Sequence, residues 1–449
     1  MHSDDTLDAQ STSGTTSSET LPIGAAFAQM SLNSAHVKIG IALFVAFAIE
    51  AWEMLLFGYI TVDLQHDLKI SVVQVGLAMS ALFFGMIPGA VVGGAVADRI
   101  GRSKTTLYSF AAYGVLALAS SFMPTFGLLL VTRALAGFAL AGCFTIGFLY
   151  FEELLPVRSR GRATVYLAAG TPVGLLLAVG VAATFGTQSW RLVVAISAAA
   201  SLWALVVYRW VPESPYWLAR QGRSSEAYDV LARLGATGLK RDRRLTVPNL
   251  RRGSLREVFR GGLARITALQ VLINFLYSWG FWGVQAWMPI LLQNRGLSAA
   301  SSLGFVAISA LFMVPGYMSA SWLTGRFGRK KIFLAYVLGA AVGGYLFAFA
   351  HSVAALYAGV FVLNFFSLGA WGVWDAWLGE LYPSPVRGIG SSLGFSGQRV
   401  ANTVAPTVVG IMIAQTTGFS TTVLLIDIFL VGSAVLALAL PETEGKELA

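Results

Sequence analysis

The chain has 449 residues, of which 56% are hydrophobic and only 12% are charged, and its formal net charge is +9. A soluble protein of this length carries about twice that fraction of charged residues, so the composition excludes an ordinary soluble domain. The single cysteine, Cys143, excludes a disulfide framework and a cysteine-based metal cluster, and the four histidines show no metal-ligand spacing. The sequence therefore predicts a membrane protein without a cofactor.

The first 37 residues are rich in Ser and Thr. They lack the basic start and the apolar run of a signal peptide. We therefore expect residues 1–37 to form a disordered cytoplasmic tail.

Beyond this tail, apolar segments recur that exceed the roughly 20 residues needed to cross a bilayer. They predict an all-α polytopic membrane protein with twelve spans, at residues 40–62, 72–96, 105–124, 127–151, 164–186, 191–210, 266–291, 301–324, 331–350, 354–378, 389–413 and 419–440. An arginine-rich stretch between the sixth and seventh spans is too charged to insert. The predicted domains are an N-terminal six-helix bundle (38–211), a cytoplasmic central loop (212–262), a C-terminal six-helix bundle (263–440) and a cytoplasmic tail (441–449).

The basic residues lie predominantly on one side of the predicted spans. Lys69, Arg191 and Arg295 fall on the other side, and Arg133 and Arg399 fall inside spans. Because Lys and Arg are retained in cytoplasmic loops, both termini and the central loop are predicted to be cytoplasmic, in a plasma membrane. The positive charge thus reflects topology and contact with anionic lipid head groups, and nucleic acid is not an expected partner.

Two motifs occur once in each half of the chain at the same separation. The pattern Glu-Leu-x-Pro-x-x-x-Arg-Gly begins at Glu153 and again at Glu380, 227 positions later, and Arg99 and Arg326 are separated by the same interval. The sixth and twelfth spans are followed by the related sequences PESP and PETE. Such repetition predicts a duplicated six-helix unit and two pseudo-symmetric halves.

The repeated motifs suit a contact between the two halves that breaks and re-forms at the cytoplasmic face. Glycine permits a tight reversal between helices, arginine caps helix C-termini, and partly exposed ion pairs are worth only ~0.2–1 kcal/mol. The alternative is that these charges merely stop the helices at the lipid head groups and set the topology. The predicted gate residues are Asp98, Arg99, Gly101, Arg102, Glu153, Arg160, Glu213, Arg326, Arg329, Asp375, Glu380 and Arg387.

Together these motifs resemble the major facilitator superfamily over nearly all of residues 38–445. GGAVADRIGRSK (93–104) is similar to the loop between the second and third helices of that family. RALAGFALAG (133–142) with EELLPVRSRG (152–161), and PESPYWLARQGRSSEA (212–227), resemble segments of its sugar-porter and organic-ion branches. The resemblance implies the major facilitator fold, in which two six-helix bundles move a solute by alternating access, and no enzymatic activity.

Within that superfamily, residues 364–406 look most like the metabolite–proton symporters, which include niacin transporters, and the aromatic-acid–proton symporters are close relatives. These families often carry Asp-Gly-x-Asp in the first helix, where this chain keeps an acidic pair, Glu50 and Glu53. A sugar porter's Phe-Gly-Tyr-Asp falls on FGYI, where Ile60 replaces the acid and argues against a sugar. The resemblance implies a substrate such as nicotinate or another aromatic acid.

Ionisable residues inside the membrane point to the site. Each costs at least ~2.5–3.5 kcal/mol at bilayer depth, so such residues usually line a cavity and pair. Counted at ~1.5 Å per residue, Glu53 and Arg133 lie within about one helical turn of each other in depth. We expect Glu53 to titrate and to free Arg133 for an anionic substrate. Two alternatives stay open, a permanent pair that only orders the bundle and titration of Glu50, one turn away. Asp427, on the twelfth span, is expected to be structural.

The substrate site is predicted where buried charges and aromatic rings converge. Arg399, in the eleventh span, can hold a carboxylate with two parallel hydrogen bonds. A flat ligand could stack on rings of the seventh and tenth spans, although most of these rings are expected to serve packing or the membrane interface. The predicted substrate-binding residues are Arg133, Arg399, Tyr277, Trp282, Gln285, Trp371, Asn402 and Phe57.

The sequence therefore predicts a monomeric, proton-coupled symporter that takes up a small organic carboxylate. Its expected partners are the substrate, protons and the lipid bilayer. The alternative is an organic-cation or sugar/polyol carrier that uses Glu50, Glu53 and Asp375 as binding charges. The residues do not separate symport from uniport or antiport.

Overall fold

The structure is a computed structural model. It describes residues 20–156, 159, 166–167, 169–186, 188–239, 241, 243–247, 253–383, 385–415 and 418–444. Arg160, one of the predicted gate residues, lies outside the described residues.

The N-terminal half consists of helices joined by short turns. Two of its membrane-region helices begin where side chains satisfy free backbone amides: Asn33 accepts hydrogen bonds at the start of α2, and Ser71 with Gln74 forms a capping box at the start of α4. The helices are α1 Ile23–Ala28, α2 Ser34–Tyr59, α3 Thr61–Leu68, α4 Val72–Ile100, α5 Arg102–Ser121, α6 Phe126–Glu152, α7 Gly170–Phe185, α8 Trp190–Ala200 and α9 Trp203–Trp210.

The central loop carries short helices, and the C-terminal half follows the order of the first half. Two three-residue strands, β1 (Thr20–Pro22) and β2 (Arg244–Thr246), pair in parallel. The remaining helices are α10 Pro215–Arg220, α11 Ser224–Arg233, α12 Gly261–Gln293, α13 Ala299–Leu311, α14 Met313–Phe327, α15 Arg329–Ala348, α16 Val353–Glu380, α17 Arg387–Ala414 and α18 Phe419–Ala437.

The predicted spans coincide with these helices, with two interruptions. The sixth span is divided between α8 and α9, and the eighth is divided between α13 and α14 at Phe312. Within the described ranges, eight segments are long and apolar enough to cross a membrane: α2, α4, α6, α8–α9, α13–α14, α15, α16 and α18. Helices α5, α7, α12 and α17 lie at the places of the other four predicted spans.

The two halves meet along three pairs of helices, α2 with α12, α4 with α17 and α7 with α13. Glycine allows the backbones to touch: a Cβ on Gly58 would lie 2.1 Å from the carbonyl oxygen of Ala286, and one on Gly76 would lie 2.6 Å from that of Pro406. The end of the bundle that bears residues 20–33, 211–239, 253–260 and 441–444 is called the loop side here, and the opposite end the far side. These close contacts lie towards the far side, so the halves are closed there.

Residues 20–37 are ordered, so the expectation of a disordered tail as far as residue 37 is wrong for this part. Ile23 and Phe27 are buried in one apolar cluster with Leu218 and Leu231 of the central loop. The amide of Asn33 donates to the carbonyl oxygen of Arg233 at 3.0 Å. The apolar face of this short segment is buried against the loop, and burial of that face outweighs the entropy of ordering a short polar tail.

Candidate functional site

A buried carboxylate in the N-terminal half is surrounded by hydrogen-bond donors. Arg133 donates to one oxygen of Glu53, and the hydroxyls of Tyr113 and Ser197 lie 2.7 and 2.6 Å from the other. The guanidinium carbon of Arg133 also lies 3.9 Å from the centre of the Phe57 ring. Glu53 and Arg133 are each 1% exposed. The structure thus brings together the predicted pair, because α2 and α6 cross inside one half.

The sequence did not predict the other two donors to Glu53. Tyr113 lies on α5 and Ser197 on α8, both isolated polar residues in apolar helices. Such residues are a weak signal, since most hydroxyls in membrane helices bond to their own backbone. The carboxylate of Glu53 therefore accepts hydrogen bonds from side chains on α5, α6 and α8.

Glu50 lies one turn before Glu53 but has a different environment. Its Oε1 is buried and has no hydrogen-bond partner among the described residues. It lines a small cavity within the N-terminal half together with Thr106, Leu140 and Cys143. The positive charge that attracts Glu50 belongs to Arg399, on α17 in the other half. A buried, incompletely bonded carboxyl therefore faces a cation across the interface between the halves.

Polar atoms without partners also occur where α12 and α17 approach the N-terminal half. Trp282 packs against Phe83 of α4, with ring centres 5.9 Å apart. Its Nε1 and the Oδ1 of Asn402 are buried without a hydrogen-bond partner in the described part of the chain. Asn402 is three residues after Arg399 and therefore shares its helix face. Because buried polar groups in proteins are usually hydrogen-bonded, these two atoms are candidates for contact with a ligand.

Three other predicted substrate residues are engaged within the C-terminal half. The hydroxyl of Tyr277 donates to the carbonyl oxygen of Ser367, and its ring centre lies 5.1 Å from that of Trp371. Gln285 donates to Asn364, whose amide donates to a serine of α13 at 3.0 Å. The polar groups of Tyr277 and Gln285 are thus bonded within the C-terminal half. Asn364 was not among the residues predicted from the sequence.

Asp375 lies apart from the gate residues with which it was grouped. It interacts electrostatically with the hydroxyls of Tyr277 and Tyr317. Its Oδ1 is buried and, within the described ranges, lacks a hydrogen-bond partner. The structure therefore places this carboxyl among tyrosines of the C-terminal half rather than with Glu380, one turn further along α16.

Asp427 lies on α18, beside a groove formed with α15. A Cβ on Gly344 would meet its Oδ1 at 2.2 Å, so this glycine makes room for the carboxyl. The carboxyl of Asp427 therefore lies on the side of α18 that faces α15.

At the loop side of the N-terminal half, Arg102 is the centre of a charged cluster. Its Nε lies 3.3 Å from Glu153 and its Nη1 lies 3.1 Å from Asp98. Glu213 accepts a hydrogen bond of 2.8 Å from the backbone nitrogen of Arg102 and so caps α5. Gly101 has φ +101°, a conformation that favours glycine and allows the reversal between α4 and α5.

The C-terminal half repeats this cluster. Arg329 lies 2.9 Å from Glu380 and also pairs with Glu444, and Glu442 accepts a hydrogen bond of 3.0 Å from its backbone nitrogen. Gly328 has φ +94°. The described contacts of each cluster close on its own half, so the expected latch between the halves is not formed in this conformation. Glu442 and Glu444 were not among the predicted gate residues.

The two glutamates that cap α5 and α15, Glu213 and Glu442, have pKa values shifted in opposite directions. Burial raises the pKa of Glu213 above its ordinary value, against the lowering effect of hydrogen bonds from Ser214 and Arg102. Glu442 is less buried. Burial acts to raise its pKa as well, but hydrogen bonds from backbone amides, including that of Arg329, outweigh it and the pKa is lowered.

The other predicted gate residues lie beside these clusters. Arg99 is exposed at the end of α4. Arg326 lies over the ring of Trp322, 5.6 Å from its centre, and Arg387 donates to the carbonyl oxygen of Tyr382 at 3.4 Å. In the described contacts, the motif arginines that enter the clusters are Arg102 and Arg329.

Comparison with known proteins accounts for this duplicated plan. The family model of the Major Facilitator Superfamily matches residues 41–326 and 306–449. The chain belongs to the major facilitator superfamily. It is therefore a multi-pass membrane transporter rather than an enzyme, with twelve membrane helices in two six-helix bundles.

Relatives within the superfamily are distant but cover about nine-tenths of the chain. The niacin transporter NiaP of Acinetobacter baylyi is 29% identical over 408 residues, which are 89% of this chain and 92% of that protein. The inner membrane metabolite transport protein YgcS of Escherichia coli is 27% identical over 426 residues, or 93% and 94% of the two chains. A partially occluded inward-open structure of the xylose transporter XylE of Escherichia coli superposes with a TM-score of 0.75 at 18% identity, covering 93% of this chain and 100% of XylE. This last likeness establishes a shared fold.

Proposed function

We propose that this superfamily member is a proton-coupled symporter, acting as a monomer, that takes up a small organic carboxylate. Nicotinate and other aromatic acids are the first candidates, and the loop side faces the cytoplasm of a plasma membrane. The relative named as a niacin transporter, matched over nearly its whole length, supports the substrate class.

The observation that carries the proposal is the charge of Arg399 at the interface between the halves. Its helix, α17, packs against α4 of the other half, and on the same face Asn402 offers an oxygen that has no hydrogen-bond partner among the described residues. A guanidinium can hold a carboxylate with two parallel hydrogen bonds. The indole of Trp282, on the neighbouring α12, supplies an aromatic face and an N–H donor without a partner in the described part of the chain, which suits a ring bearing a heteroatom.

Alternating access follows from how the halves are joined. Close backbone contacts and a hydrogen bond of 2.7 Å between Ser80 and Thr407 hold the far side closed. The charged clusters at the loop side stiffen each half separately. Rocking of one rigid half against the other then exposes the interface to one side at a time. The clusters around Arg102 and Arg329 serve in this proposal as anchors that keep each half rigid and as gate elements when the loop side closes.

The test is uptake of labelled nicotinate and benzoate into vesicles that contain the purified protein. We expect an imposed inward proton gradient to drive accumulation, Arg399→Gln to abolish binding, and Arg399→Lys to weaken it at least tenfold because the second parallel hydrogen bond is lost. Arg223→Gln, a change on the exposed surface of the central loop, is the matched control. Uptake that ignores the gradient rules out proton coupling, and unchanged binding by Arg399→Gln rules out the carboxylate site.

An organic-cation carrier is favoured by one observation. Asp375 presents a buried carboxyl beside Tyr277 and Tyr317, and a cation is attracted both by a carboxylate and by aromatic faces. In that case Asp375→Asn abolishes binding of amines, while Arg399→Gln leaves it intact. Screening acids and amines against both variants by thermal stabilisation separates the two functions.

A further inference from the structure

We infer, resting on the proposed symport, that Glu50 rather than Glu53 carries the coupled proton, because the substrate's carboxylate and Glu50 compete for Arg399. Glu53 and Arg133 then form a permanent pair, and the exchange of partners takes place across the interface between the two halves.

The surroundings of Glu53 are unsuited to losing its charge. Three donors hold its carboxylate, and all of them belong to the same half, so rocking of the halves does not separate them. A proton on Glu53 would leave the guanidinium of Arg133 buried without its counter-ion. Breaking a buried pair in this way is strongly unfavourable. The Nε of Arg133 already lacks a hydrogen-bond partner among the described residues, so loss of the Glu53 carboxylate would leave the guanidinium still less satisfied.

The surroundings of Glu50 are suited to gaining a proton. One carboxyl oxygen is buried without a hydrogen bond among the described residues, and the carboxyl faces a cavity. Among the described residues, the titratable and charged groups that act electrostatically with Glu50 are Cys143 from α6 and Arg399 from α17, and Glu53 lies one turn further along its own helix. The cavity residues contributed by α5 include Thr106 and carry no charge. Arg399 is thus the cation that favours ionised Glu50, and it belongs to the half that moves.

Competition between the substrate's carboxylate and Glu50 for Arg399 couples the binding of the substrate to the binding of a proton. When a carboxylate substrate binds Arg399, it neutralises the guanidinium, and ionised Glu50 remains in a buried site without a counter-ion. Burial then favours its protonated form, and a proton from the solution bonds to its free oxygen. After both ligands leave, Glu50 releases its proton to the solution and pairs with Arg399 again. The loaded and empty carriers have equal charge, so one anion moves with one proton and transport is electroneutral.

The decisive measurement is the pH dependence of nicotinate binding to the purified full-length protein. Binding by the wild type requires one proton per ligand, so we expect its Kd to rise about tenfold per pH unit once Glu50 is ionised. Glu50→Gln fixes the protonated state, and we expect its Kd to be nearly independent of pH. The same variant should exchange nicotinate across the vesicle membrane but fail to accumulate it against a gradient.

Glu53→Gln is the matched control, and we expect it to keep the pH slope at reduced thermal stability. If Glu53→Gln does not fold, Tyr113→Phe, which removes one hydrogen-bond donor from Glu53, serves as the control variant instead. If Glu50→Gln does not fold, the measurement is the proton uptake that follows addition of nicotinate to the wild type in a weak buffer. We expect one proton to be taken up per ligand bound. A tenfold slope retained in Glu50→Gln, or lost in Glu53→Gln, overturns the assignment while symport stands. Absence of any acid binding by the wild type overturns the proposed function itself.

Discussion

The hydroxyl of Tyr113 donates a hydrogen bond of 2.7 Å to the carboxylate of Glu53, 60 positions earlier in the chain. The tyrosine also lies 2.9 Å from Ser197, so the three side chains tie α2, α5 and α8 together, and Arg133 adds α6. Four helices of one half therefore share a single buried charged network, which makes that half a rigid body.

Tyr113→Phe removes one donor from this carboxylate without changing the packing of the ring. A hydrogen bond to a charged group contributes about 1.5–3 kcal/mol, and we expect the variant to lose stability of that order in thermal or denaturant unfolding in detergent. Tyr208→Phe, an exposed ring on α9, is the control. Equal stability of the two variants contradicts the network.

The two arginine clusters should differ in strength. The Arg102 side chain is 4% exposed and that of Arg329 is 22% exposed. Breaking a buried pair costs about 3–5 kcal/mol, while an exposed pair is worth about 1 kcal/mol or less. We therefore expect Arg102→Ala to lower the unfolding temperature more than Arg329→Ala, although the motifs look equivalent. The reverse order would show that burial does not decide the energetics here.

The two glutamate caps should respond to pH in opposite directions. The pKa of Glu442 is lowered, so its contribution to stability is present above its ordinary value of 4.5 and is lost as pH falls through the lowered value. The pKa of Glu213 is raised, so its contribution is greatest below 4.5 and declines as pH rises through the raised value. We expect Glu442→Gln to be more destabilising at pH 7 than at pH 4, and Glu213→Gln to show the opposite trend. Unfolding temperatures of both variants and the wild type over this range provide the measurement, and trends of the same sign contradict it.

Closure of the far side depends on the bare backbone at Gly58. A Cβ there would lie 2.1 Å from the carbonyl oxygen of Ala286, which cannot move without displacing α12. We expect Gly58→Ala to open the far side, so that a cysteine placed at Ser80 reacts with a maleimide several times faster than in the same background without this change. Gly180→Ala is the control, because a Cβ at Gly180 would meet nothing within 4 Å. Equal reaction rates would show that this contact does not hold the halves together.

Phe27 should be a main anchor of the ordered N-terminal segment. Phe27 is 1% exposed in the cluster formed with the central loop. Truncating a buried phenylalanine to alanine costs about 3–5 kcal/mol. We expect Phe27→Ala to release residues 20–33, detected as faster proteolytic cleavage there, with exposed Phe259→Ala as the control. Unchanged cleavage would place the anchoring contact elsewhere.

The sequence by itself determined the spans, their duplication and the residue types at the loop side. Hydrophobicity over some twenty residues decides whether a segment enters the bilayer, and a motif repeated at 227 positions reports a repeated unit. Tight reversals at Gly101 and Gly328 are equally local, since they depend on the conformational freedom of one residue. The depth of Glu53 and Arg133 could be counted because both lie on regular helices.

Only the tertiary structure decided which groups meet. Ser197 reaches Glu53 across 144 positions, Arg399 acts on Glu50 from the other half, and each arginine cluster closes within its own half. The order of residues 20–33 likewise depends on an apolar surface supplied by the central loop. Insertion into a membrane is a property of each segment alone, whereas the partner of a buried charge is set by how distant helices pack, which no local pattern records.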